Sequence, residues 1–248
     1  MKSDIGSFRS ATVCFCVMDE REKKAWLHYL GSRKGSNRHN YHRECLKEIE
    51  RWQHDHPLEK PRILLHACCV ICACWPIHFL TSHGFEVTIF FSNSNIWPKA
   101  EYQKRLHELK RYLESCRKDK IKLIIDMYDY ETFAATVLKN RKNDPEGWIS
   151  CFRCYTKRMD TAFAYADANH YDFMTTVMTF SRQKDSEKIN AIGLALAKKY
   201  HHTHWLVSDF KKADGHKKSE EICRQYDLYR QDYCGCSFSY QERHPQTK

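Results

Sequence analysis

Thirteen cysteines in 248 residues, several of them adjacent or nearly so, constrain this chain more than any other feature. Cys68 and Cys69 are neighbours, with Cys72 and Cys74 close behind. Cys151 and Cys154 flank Phe152-Arg153, and Cys234 and Cys236 flank Gly235. Secreted scaffolds use an even number of cysteines, spaced to staple distant loops. An odd count in tight clusters fits metal binding or thiol redox chemistry in a reducing compartment. The cytoplasm is the expected location. The apolar patch Val13–Met18 is cut off by Asp19-Glu20-Arg21-Glu22-Lys23-Lys24, too early for a signal peptide, and no later run has membrane length.

Hydrophobic residues make up 42% and charged residues 29%, which is the composition of a folded globular domain. The net charge of +10 favours a polyanionic partner, nucleic acid above all, against the alternative that the lysines only confer solubility. Basic and aromatic residues interleave near the cysteine motifs. Arg153, Lys157, Arg158, Lys211, Lys212, Lys217, Lys218 and Arg230 are the candidate RNA contacts. In such stretches aromatic rings stack on unpaired bases while the cations hold phosphates.

Residues 1–60 read as an N-terminal extension, helical near Tyr41–Trp52 and loosely attached, with solvated histidines. Residues 61–248 form the main domain. Ile63–Ala67 is an apolar run of buried-strand type that ends in Cys68-Cys69. A helix to about His83 follows, closed by Gly84. Val87–Phe91 and Lys122–Ile125 are the next strands, separated by a long amphipathic helix from Pro98, and Tyr130–Leu138 is helical. Met159–Ala168 (helix), Tyr171–Thr179 (strand), Glu187–Tyr200 (helix) and His204–Ser208 (strand) continue the alternation. Such alternation predicts an α/β fold with a parallel sheet sandwiched by helices. Ligands bind such sheets at the carboxyl ends of strands, where Cys68-Cys69 stands.

Two cysteine pairs, Cys68/Cys69 and Cys151/Cys154, supply four thiolates. That set suits a 4Fe–4S cluster or a four-thiolate zinc site, and adjacent cysteines with divergent side chains favour the wider cluster. Cys72 is an accessory thiol or a ligand of a second metal ion, and Cys74 a core thiol. A radical-SAM triad would need a cysteine where Trp75 stands. Cys234-Gly235-Cys236 can close a small strained disulfide, which reads as a redox-active dithiol, with a further metal pair as the alternative. Cys14, Cys16, Cys45, Cys116 and Cys223 form no evident pattern. With eight glycines and neither a Walker nor a dinucleotide fingerprint, a bound nucleotide cofactor is not expected.

Several strings occur together in order: Leu64-Leu65-His66-Ala67-Cys68-Cys69, Phe91–Pro98 with Glu101-Tyr102, Cys151-Phe152-Arg153-Cys154-Tyr155, Ser208–Lys212 and Leu228–Cys236. In these the chain, from about Arg62 to Tyr240, resembles the cobalamin-independent epoxyqueuosine reductase family. The resemblance implies a fold like the adenine-nucleotide alpha-hydrolase (HUP, PP-loop-like) group. It also implies the last step of tRNA queuosine synthesis, reduction of the wobble-base epoxide to the alkene. The substrate would be tRNA with a GUN anticodon carrying epoxyqueuosine. Carried over by motif, Cys68, Cys69, Cys151 and Cys154 would hold the 4Fe–4S cluster, and Cys234 and Cys236 would be the catalytic redox pair. One departure is Val70-Ile71, where relatives commonly have Ala-Pro. An acid must protonate the leaving oxygen, and Asp209, Asp232 and Tyr233 are the candidates by neighbourhood. An electron donor is also required. A thiolation enzyme of the same fold would need a phosphate loop that is absent, and the competing class is a non-catalytic, zinc-containing RNA-binding protein.

Overall fold

The structure is a computed structural model that describes residues 39–116 and 121–245. The Val13–Met18 patch and the side chains of Cys14, Cys16 and Cys116 lie outside the described residues. The elements run α1 (Tyr41–Asp55), β1 (Arg62–His66), α2 (Val70–Ser82), β2 (Glu86–Phe91), α3 (Lys99–Cys116), β3 (Lys122–Ile125), α4 (Tyr130–Thr136), α5 (Ile149–Ala168), β4 (Phe173–Thr176), α6 (Ser186–Ala197), β5 (His204–Trp205), α7 (Gly215–Gln225) and α8 (Ser237–Arg243).

The five strands form one sheet in the order β3-β2-β1-β4-β5, with every pairing parallel. Successive side chains point to opposite faces, and both faces are covered. Ile63, Leu65, Val87, Ile89 and Phe91 pack beneath α1, α2, α3 and α7. Leu64, Phe90 and Met174 pack against α5 and α6 on the other side. This is the expected α/β architecture. The chain builds β1, β2 and β3 outward, then crosses back to place β4 on the free side of β1. Connections therefore diverge at the carboxyl ends of β1 and β4 and leave a crevice there. Ala67-Cys68-Cys69 leads from β1 straight into it. Despite Val70-Ile71, α2 starts directly after the cysteine pair, with Cys69 as its N-cap.

The structure corrects several boundaries. The helix α1 is integral to the core: Cys45 and Ile49 are buried in the main cluster, and Trp52 meets Phe173 edge-on at 6.4 Å. Its apolar stripe of Tyr41, Cys45, Ile49 and Trp52 recurs at helical spacing inside an otherwise charged sequence, which disguised it. The expected strand Tyr171–Thr179 is only Phe173–Thr176, because Val177–Phe180 turns into a 3-10 helix whose Met178 N–H is capped by Thr176 Oγ1. The last strand pairs only over His204–Trp205. Beyond it, Asn190 takes over the backbone of Ser208, accepting its N–H at 3.0 Å and donating to its carbonyl at 2.8 Å. Among the described residues no helix is long and apolar enough to cross a membrane.

Candidate active site: a thiol-lined crevice at the end of β1

The first thiol group is built by the β1–α2 junction. Cys68 Sγ lies 3.8 Å from Cys69 Sγ, and Cys72, one helical turn on, joins them. Gln231 Nε2 donates to Cys69 Sγ at 2.9 Å. The Cys69 and Cys72 thiols both donate to Cys68 and hold it well below the usual thiol range; the Arg158 and Lys184 charges act the same way, against burial. The cost falls on the donors: Cys69 is pushed up to about 12 and Cys72 is raised well above its ordinary value. Behind this group His66 is fully buried, its Nδ1 2.8 Å from Thr176 Oγ1. Burial, reinforced by Arg158, drives it to about 3, so it is neutral.

The second pair stands inside α5, which begins ten residues before the expected Met159. Asp144 starts the helix early by accepting the Ser150 N–H at 2.9 Å and its Oγ at 2.6 Å. Cys151 and Cys154 therefore occupy its first two turns, at the positive end of the helix dipole. Gly147, at φ +82°, turns the preceding loop so that its N–H donates to Cys151 Sγ at 3.2 Å. Burial pushes Cys151 up against that hydrogen bond, and pushes Cys154 up to about 12.

Cys234 and Cys236 come from the loop before α8, and both are free thiols. Arg105 on α3 holds this loop from below. Its Nη1 donates to Cys234 O at 3.0 Å, its Nη2 to Tyr233 O at 3.2 Å, and its Nε to Glu101 Oε1 at 2.7 Å. Gly235 has φ +144° and accepts the Trp97 N–H at 2.7 Å. Cys236 packs in one cluster with Cys154, Phe133 and Leu138. Cys234 opens on a cavity of about 220 Å³ together with Cys68, Cys72 and Lys184. The three cysteine motifs, far apart in sequence, thus meet around one crevice, Cys68, Cys72 and Cys234 lining it and Cys154 reaching it through its packing with Cys236.

The other expected residues divide. Asp232, Tyr233 and Arg230 line the cavity. Asp232 pairs with His244 Nε2 at 2.8 Å, whereas the Tyr233 hydroxyl is committed to Trp97 O. Asp209 does not line the cavity; it is buried and receives Ser186 Oγ at 3.0 Å and Lys211 Nζ at 3.2 Å. Lys157, Lys212 and Lys217 are exposed, Arg153 is half-buried, and Lys218 lies over Trp75 at 4.5 Å. Arg158, expected to face RNA, is only 3% exposed and is directed to the thiols. Cys74 lies apart, 3.3 Å from Ser219 Oγ and beside Cys223. Sequence reasoning missed Arg105, Asn93, Lys184 and Gln231. Of these, only Arg105 carries a local signal, its four-residue spacing from Glu101 on one helix.

Among the described residues, no three Cys, His, Asp or Glu side chains surround a single metal-ion position. The donor chemistry nonetheless fits an anionic, thiolate-bound group. Seven thiols converge, and Arg105, Arg158 and Lys184 all carry charge toward them. The buried Nε of Arg158 has no hydrogen-bond partner.

Residues 63–242 match the family model described as epoxyqueuosine reductase QueH. The epoxyqueuosine reductase QueH of Staphylococcus aureus is 34% identical over 204 residues, covering 81% of this chain and 83% of that protein. The Streptococcus pyogenes protein of the same name is 32% identical, over 81% of this chain and 78% of its own length. The Thermotoga maritima one is 29% identical, over 73% and 91%. By the extent of these matches, and by the meeting of its three cysteine motifs, this chain belongs to the epoxyqueuosine reductase QueH family of oxidoreductases.

Proposed function

We propose that this protein reduces the epoxide of epoxyqueuosine at the wobble position of tRNA with a GUN anticodon, giving queuosine in the cytoplasm. The observation that carries the assignment is the single crevice in which Cys68, Cys72 and Cys234 share a cavity, with Cys154 and Cys236 packed behind. Cys68, Cys69, Cys151 and Cys154 would hold a 4Fe–4S cluster, which supplies electrons one at a time when bound. Cys72 stands ready as an accessory thiol or as a ligand of a second metal ion.

Cys234 and Cys236 store the electron pair. Opening the epoxide to the alkene takes two electrons and two protons and releases water. Oxidising the two thiols to a disulfide releases two electrons and two protons, so the exchange balances. An external electron donor restores the thiols. Asp232, which lines the cavity and pairs with His244, is the acid candidate. The epoxide oxygen would face Cys234 and Lys184. Arg230 at the cavity, with Lys212, Lys217 and Lys218 on the surface, would hold the anticodon phosphates, and Arg153 and Lys157 would extend that surface, whereas Lys211 is spent on Asp209 and the Thr179 carbonyl.

Anaerobic purification followed by single turnover on epoxyqueuosine-containing tRNA tests this. A brown protein absorbing at about 400 nm that forms queuosine, with turnover lost in Cys234→Ser, supports the scheme. Full turnover in Cys234→Ser removes the dithiol from it. A colourless protein with stoichiometric zinc and no turnover returns the chain to the RNA-binding class.

A further inference from the structure

Arg158 is a buried cation with a particular set of neighbours. It sits one turn after Cys154 on α5, and its Nη2 donates to Asn93 Oδ1 at 2.7 Å and lies 3.4 Å from His66 Nε2. Asn93 is itself buried and gives its Nδ2 to Ala67 O at 2.8 Å, so the guanidinium is tied to the strand end that carries Cys68. Neither of these partners is a carboxylate: one is an imidazole and the other an amide. Among the described residues no carboxylate pairs with Arg158, and its Nε has no partner at all. Arg105, equally buried, differs in having Glu101. A charge removed from water without a counter-charge is strongly unfavourable. The groups placed to supply that counter-charge are the sulfurs of Cys154, Cys68 and Cys234.

We propose that Arg158 is the internal counter-ion of the thiolate-bound centre, a positioning residue that raises the centre's reduction potential. The proposal rests on the cluster assignment to Cys68, Cys69, Cys151 and Cys154 made above. An electron added to that centre increases its negative charge, and a fixed buried cation stabilises the reduced form more than the oxidised form. Water and salt do not screen the effect at this depth. The Asn93 and His66 contacts hold the guanidinium in place, so the reduced state needs little reorganisation.

The test is a dye-mediated redox titration, followed by electron paramagnetic resonance, of anaerobically reconstituted wild-type, Arg158→Gln and Arg158→Lys proteins. Arg158→Gln lowers the equilibrium constant for electron uptake at least tenfold, about 59 mV for one electron. Arg158→Lys keeps the charge and most of the potential. An Arg158→Gln protein that holds iron like wild type at an unchanged potential overturns the proposal. If Arg158→Gln takes up no iron, thermal melting of the metal-free proteins decides. Wild-type-like melting means the charge is needed to hold the centre and supports the proposal. An unfolded metal-free variant makes Arg158 a scaffold residue and overturns it. Wild-type protein that takes up no iron overturns the cluster assignment itself, a result distinct from an unmoved potential.

Discussion

Replacing Arg105 by methionine removes the side chain that ties the Cys234–Cys236 loop to the sheet. Arg105 is 1% exposed and its three hydrogen bonds end on Glu101 and on the carbonyls of Tyr233 and Cys234. Methionine fills a similar volume but leaves Glu101, itself 11% exposed, without its cation, and two carbonyls without donors. Breaking one side of a buried pair costs about 3–5 kcal/mol, and the orphaned carbonyls fall within the same figure because the contacts share one group. The Tyr229 hydroxyl, 3.0 Å from Glu101, softens the loss without removing it. Urea denaturation of the metal-free protein measures the change. Arg105→Met is expected to lie about 3–5 kcal/mol below wild type. Glu101→Gln/Arg105→Met recovers part of that, because no uncompensated carboxylate remains. Arg105→Lys is intermediate, since an ammonium cannot reproduce the fork. Alkylation of Cys234 is expected to quicken in Arg105→Met as its loop loosens. A loss below about 1 kcal/mol, the range of an ordinary surface pair, with Cys234 reactivity unchanged, would show that Arg105 does not anchor the loop.

Three further outcomes follow from the structure. Gly235→Ala forces a side chain to φ +144° and sets its Cβ 3.2 Å from Asn95 Nδ2 and Ile96 Cγ1; a loss of about 1–3 kcal/mol in urea denaturation, with reduced turnover, is expected. Ile49→Ala empties a fully covered position of α1 and should lower stability by about 2–5 kcal/mol, whereas a loosely attached helix would leave the melting curve unmoved. Glu108 is held below its ordinary carboxylate value of 4.5, first by the hydrogen bond from Arg111 and then by the Tyr229 N–H. Its folded value is the depressed one, so its contribution is complete above pH 4.5 and is lost as pH falls through the folded value. Stability against pH for Glu108→Gln should therefore lie below wild type at neutral pH and converge with it in acid.

Much of the site was legible because the cysteines that build it are tight local motifs at the ends of recognisable elements. The run Ile63–Ala67 announced a buried strand, and the cysteines after it fell where an open parallel sheet binds ligands. The sheet order was less visible, since which strand crosses back over β1 depends on long-range packing. Arg158 was misplaced for a physical reason: beside Lys157 in a basic stretch it looks like a surface cation, and only the rotation of α5 separates the two. One residue apart on a helix, Lys157 is exposed and Arg158 faces the interior. The early start of α5 escaped notice because its cap is the Asp144 carboxylate, six residues from Ser150, instead of a side chain at the N-cap. Arg105 and Gln231 act through contacts to segments more than a hundred residues away, which no local pattern encodes.

Whether this crevice turns epoxyqueuosine into queuosine on tRNA is decided by mass analysis of tRNA nucleosides from cells lacking the gene, and from the same cells given back the wild-type or Cys68→Ala gene. Accumulated epoxyqueuosine, restored to queuosine by the wild-type gene and not by Cys68→Ala, is the predicted result. Unchanged queuosine in deleted cells that hold no second epoxyqueuosine reductase would contradict it.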